Sequence, residues 1–297
     1  MMRAPRPLLA ASAAALLALL SACGGARPRA TESESLAWRA HRAWASNQVV
    51  LAADLYRRAL DEARIQVDVR QQTEMVLNLA WIHAQLGRHT VADSILRGLP
   101  PESEGDTAVA ARAETVLWSV RAGLGRCAEG ELREPSSPDV ALDLAMVPCA
   151  LESGKTEFAA AAAARAKKSG GPAAAGMAAI AEGDVAMARG DAAGALEAYQ
   201  TAFEAARGSG ISLHVGTTLL RLARAAEKKG DRARAELCAA RALELFENLG
   251  AEYPYVQAAE LLDRFGKLDD KSRERAEAVK KLRAGADLDA ALRAVRN

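Results

Sequence analysis

The sequence predicts an all-α solenoid of about six helix–turn–helix units stacked in line and closed by C-terminal capping helices. Three observations carry this. Half the residues are hydrophobic, alanine dominates that half, and only 4% are aromatic. Alanine is the best helix former, and there are few alternating Val/Ile/Thr-rich runs that would make strands. A turn centred on glycine, or once on asparagine, recurs at Asn47, Gly87, Gly125, Gly154, Gly190, Gly230 and Gly266, with spacings of 40, 38, 29, 36, 40 and 36 residues. Such residues fit a helix end in the left-handed conformation. Around these turns small residues keep a fixed place: Ala40, Ala80, Gly183 and Ala223 seven before, and Ala52, Ala92, Ala159, Ala195 and Ala235 five after. Those positions let two helices of a hairpin pack closely.

The first element is a leader. Met1 to Pro7 carries Arg3 and Arg6, and Leu8 to Leu20 is an apolar run of 13 residues. A basic start, a short apolar run and small residues before a cut describe a secretory signal peptide. The run is too short for a spanning helix, which needs about 20 residues. It ends in Leu20-Ser21-Ala22-Cys23, which resembles the lipobox of bacterial lipoproteins. The resemblance implies cleavage after residue 22 and lipidation of Cys23, with palmitate among the acyl chains. Two or three such chains would anchor the protein durably, where one would not. Gly24 in place of aspartate points to the outer membrane. Residues 23–35 read as the lipidated cysteine and a small, polar tether.

Residues 36–266 read as the solenoid. The clearest unit runs from Gly176 to Phe203, with Gly183 in its first helix, Gly190-Asp191 at the turn, and Ala195, Tyr199 and Ala202 in its second. It resembles the tetratricopeptide repeat (TPR). Units around Gly230, Asn47 and Gly87 share the pattern. Two middle units depart from it, because Trp118 and Val147 stand where a small residue is expected and Gly130 replaces an alanine. Several spacings exceed the 34 residues usual for this repeat. Such long units resemble the extended repeats of bacterial regulators related to the maltose activator, whose helices are about a turn longer. Residues 267–297 are highly charged and read as capping helices, which a repeat array needs to cover its last apolar face.

Charge and reactive residues exclude more than they assign. Lys and Arg total 39 against 38 Asp and Glu, which gives no electrostatic case for nucleic acid or for a polybasic membrane patch. Of the four cysteines, Cys127 and Cys149 lie closest and would fall on adjacent helices. They could pair, but buried small hydrophobes are the favoured reading. No CxxC, P-loop, GxSxG, GxGxxG or HExxH occurs, and His83 and His89 lie on either side of the Gly87 turn, so neither a metal site nor a cofactor site is expected. The chain reads as a non-enzyme with no small-molecule substrate.

The resemblance also implies where partners bind. First helices of TPR units line a concave groove, and that geometry points His41, Trp44, Leu77, Trp81, Leu144, Leu151, Ile180, Met187, Leu220 and Arg224 inward. Trp is a favoured anchor for a partner, although Trp44 and Trp81 could equally pack between units. The basic clamp by which chaperone-binding members hold a terminal carboxylate is not reproduced. The expected function is a scaffold on the periplasmic face of the outer membrane, holding a peptide or helix of another envelope protein, as lipoproteins such as secretin pilotins and outer-membrane assembly factors do. The alternative is a cytoplasmic TPR regulatory module of a signalling or transcription system, which requires Leu8 to Leu20 not to be a signal.

Overall fold

The computed structural model describes residues 31–103 and 105–285. The expected signal peptide, Cys23 and most of the tether lie outside the described residues, as do residues 286–297 of the capping segment. Thirteen α-helices and no strand occur among the described residues. The chain opens on α1 (Glu32–Ala45), where Thr31 and Glu34 form a capping box: the Glu34 amide donates to Thr31 Oγ1 at 3.1 Å and the Thr31 amide to Glu34 Oε2 at 2.8 Å. There follow α2 (Val49–Ile65), α3 (Val69–Gln85), the short α4 (His89–Leu96) and α5 (Thr107–Leu124). The second half contains α6 (Val140–Glu152), α7 (Thr156–Ser169), α8 (Gly171–Ala188), α9 (Ala192–Ser209), α10 (Ser212–Lys229), α11 (Arg232–Leu249), α12 (Glu252–Arg264) and α13 (Asp270–Gly285). Each helix packs chiefly on its neighbours in sequence, as an α-solenoid requires.

The seven expected turns all form. Asn47 has φ 61° and the glycines at 87, 125, 154, 190, 230 and 266 lie between 65° and 85°. At Gly190-Asp191 and Gly230-Asp231 the two residues divide the work. Glycine takes the left-handed conformation that ends one helix, and the aspartate caps the next, accepting from Gly194 N at 2.8 Å and Arg234 N at 3.1 Å. The alanines five residues after the turn, Ala52, Ala92, Ala159, Ala195 and Ala235, are all fully buried, as are Ala40, Ala80 and Ala223. Helices α8 to α11 run 18 residues each, which accounts for the long spacing there.

Two expectations are corrected in the middle of the chain. The unit after Gly125 has no second helix. A single 3-10 turn, Cys127–Glu129, leads into an irregular segment up to Asp139. Pro135 and Pro138 in that segment supply no amide donor and clash with a preceding helical turn. Trp118 is 1% exposed, and a Cβ at Gly130 would lie 2.4 Å from its Cη2. The large residue and the glycine at these two positions therefore compensate each other. The second correction concerns the cysteines: Cys127 and Cys149 are joined by a disulfide that ties this irregular segment to α6, while Cys238 stays free and buried.

The solenoid closes on itself. The Asn47 side chain reaches the turn between α9 and α10, 163 residues away, donating to Gly210 O at 2.8 Å and accepting from Ser212 N at 2.7 Å. Arg88 pairs with Glu252 at 2.8 Å, mostly shielded from solvent, and the His89 and Tyr253 rings meet edge to face. A Cβ at Gly87 would strike Tyr253, so the two coils approach at backbone distance. One hydrophobic core spans both ends, with Leu36, Tyr56 and Leu86 in the same cluster as Leu222, Phe246 and Leu261. The first two units thus sit on the junctions before and after the α10–α11 pair, and the array makes a complete turn.

Candidate functional site

Closure turns the expected open groove into an axial cavity. Helices α3, α5, α6, α8, α10 and α12 each contribute one face to two adjoining cavities of about 540 and 600 Å³, which share Gln85, Ser119, Ala122, Pro148, Asp184 and Arg221 as lining. Of the residues expected to face inward, Trp81, Leu144, Leu151, Ile180, Met187, Leu220 and Arg224 do line it. Three lie elsewhere. Leu77 is 1% exposed in the core. His41 points to solvent from α1. Trp44 packs edge-on against Trp81 with ring centroids 4.7 Å apart, so this pair joins units while Trp81 also faces the cavity.

The two halves differ in chemistry. The half between α6 and α8 is apolar, formed by side chains such as Leu144, Val147, Met177 and Ile180 with Trp81 at its edge. Pro148 has no N–H, so the helical hydrogen bond to the Leu144 carbonyl is not made, and both residues line the cavity. The half between α10 and α12 carries more polar groups, with Gln85, Thr217, Tyr253, Gln257 and two arginines beside Leu151, Met187 and Leu220.

Asp184 organises that polar half. Tyr199 Oη donates to its Oδ1 at 2.6 Å and Arg221 Nε donates to the same oxygen at 2.9 Å. Burial pushes the Tyr199 hydroxyl well above its ordinary range, helped by the Asp184 charge. Burial alone would pull Arg221 down, but the Asp184 carboxylate outweighs it and the guanidinium is held charged. Arg224, one turn further along α10, makes no hydrogen bond or salt bridge with any described residue. Burial first and the Arg221 charge second pull its pKa down. Among the residues lining the two cavities only Asp184, Arg221 and Arg224 are charged; counting histidine as neutral, two cations against one anion leave a net +1.

Sequence reasoning missed Tyr199, Arg221, Tyr253 and Gln257. Arg221 was legible, since Thr217, Leu220, Arg221 and Arg224 follow the i, i+3, i+4, i+7 spacing of one helix face. Tyr253 and Gln257 belong to the site only because α12 comes round to meet α3. No group of three or more His, Cys, Asp or Glu able to hold a metal ion occurs among the described residues, and no helix among them is long and apolar enough to cross a membrane. No protein-family model matches the chain, and no curated protein is similar to it at a significant level.

Proposed function

We propose that this is a non-catalytic, TPR-type binding lipoprotein of the bacterial envelope, tethered through Cys23, that holds an extended segment of a partner protein in its axial cavity. The observation that supports this reading is convergence. Inner faces from six helices meet on two adjoining cavities, where apolar side chains lie beside Asp184, Arg221 and Arg224. Both cavities are partly open to solvent and adjoin each other, so a guest can run from one into the other. An extended chain is slender enough to pass between the inner helices without opening the ring.

The test is in two parts. Palmitate labelling abolished by Cys23→Ala is expected for the anchor; an unlabelled protein with Met1 intact would refute it and favour the cytoplasmic module. A photo-crosslinking residue in place of Leu144, inside the cavity, should capture a membrane-associated protein that the same residue at Leu237, 53% exposed on the outside, does not. Equal capture at both positions would move binding to the outer surface.

A further inference from the structure

The cavity holds one cation more than its own anions neutralise. The Asp184 carboxylate is committed to Tyr199 and Arg221, whereas Arg224 faces the same space with no hydrogen bond or salt bridge. Arg224 is exposed to solvent and so keeps its charge without a partner, and an opposite charge brought to it at the cavity wall is attracted more strongly than in open water. Next to it lies the more apolar half, lined by Leu144, Val147, Met177 and Ile180. An extended polypeptide can offer both parts a complement: apolar side chains to one and a carboxylate to the other.

Resting on the reading of the ring as a peptide site, we propose that the guest is an extended, mainly apolar peptide segment carrying a single carboxylate side chain, which pairs with Arg224 while the apolar residues beside it lie between α6 and α8. One negative charge is the complement of the net +1; a second would face Asp184. A lysine or arginine at that position would meet Arg224 and be rejected.

The experiment uses the full-length protein, immobilised through a C-terminal tag, and a phage library of random heptapeptides flanked by glycine linkers, so that the charge carried is the amino-acid side chain's and no free terminus enters the site. Selection on the wild-type protein is expected to enrich apolar peptides with one Asp or Glu. Arg224→Glu is expected to reverse this to one Lys or Arg, with an unchanged melting temperature because Arg224 bonds to nothing in the fold. Arg224→Gln should lower affinity for the wild-type peptides at least tenfold. Ala122→Trp, which fills the junction of the two halves, should abolish binding. Peptides blocked by Ala122→Trp but enriched without a carboxylate, or unaffected by Arg224→Glu, would overturn the charge assignment and leave the ring as the site. Peptides indifferent to Ala122→Trp would overturn the ring as well. No enrichment above background, with dodecanoate binding instead, would assign the cavity to a small amphiphile and refute the proposal.

Discussion

Gly183→Ala should destabilise the protein, against the usual sign of that substitution in a helix. In an open helical position alanine gains about 1 kcal/mol over glycine. Gly183 lies inside α8, and a Cβ there would sit 2.3 Å from Cε1 and 2.5 Å from Cδ1 of Tyr199 on α9. Ordinary contact begins near 3.4 Å, so the ring or the α8 backbone must give by about 1 Å. Tyr199 cannot move freely. Its side chain is buried and its hydroxyl is held by Asp184, itself fixed by Arg221. Overpacking of this kind costs about 1–3 kcal/mol, and disturbing a hydrogen bond to a charged group adds to it, up to about 1.5–3 kcal/mol. Subtracting the helical gain of about 1 kcal/mol leaves a net loss between about 0 and about 5 kcal/mol, the upper part reached where the Tyr199 hydrogen bond is disturbed as well. Urea unfolding followed by circular dichroism would measure it. Gly208→Ala is the control, because that helical position has open space around its Cβ, and it should be neutral to stabilising by up to about 1 kcal/mol. In a Tyr199→Leu background the Gly183→Ala penalty should largely disappear, since coupling of this size marks residues in contact. A midpoint raised by Gly183→Ala in the wild-type background, as by Gly208→Ala, would refute the close approach of α8 and α9.

Three other outcomes follow from the closure, the disulfide and a buried histidine. Asn47→Gly keeps the left-handed turn but removes both bonds to the α9–α10 junction; hydrogen exchange at the Ser212 amide should quicken by roughly tenfold, the equivalent of about 1.4 kcal/mol, and an unchanged rate would mean the coils do not touch there. Cys149→Ser opens a link across 22 residues, for which chain entropy gives a loss of about 3 kcal/mol, read as a lower melting temperature that reducing agent reproduces in the wild type and not in the variant. His83 is buried, and burial first, with Arg88 second, lowers its pKa to about 4; its neutral form stabilises the fold fully above pH 6.5 and that contribution falls away as pH drops from 6.5 towards 4. The shift corresponds to about 3 kcal/mol at most, so His83→Gln should flatten the stability profile across that window, and an identical slope would show that His83 titrates freely.

Much of the fold was legible residue by residue. A Gly-Asp pair such as Gly190-Asp191 specifies a turn because glycine adopts positive φ without strain and aspartate caps the amides of the next helix. Alanines at fixed offsets around it specify close helix contact because nothing larger fits. These are local interactions within about 30 residues, and the chain carries them in its pattern. The leader expected before Cys23 is likewise a matter of sequence and lies outside the described residues.

What the tertiary structure alone decided is global. Each unit turns a little relative to the one before, and the sum over the array brings Asn47 to Gly210 and Gly87 to Tyr253; no single unit contains that sum. The structure alone shows that no helix follows Gly125, that Trp118 is buried against Gly130 there, and that Cys127 pairs with Cys149, a choice among partners that spacing left open. The cavity's excess charge could not be read along the chain either. Asp184, Arg221 and Arg224 are three charges on two helices, and only packing shows that Tyr199 and Arg221 occupy the carboxylate while Arg224 faces the space alone. Helix periodicity fixes which way a side chain points, but which charge finds a neighbour depends on helices far apart in sequence arriving at the same place.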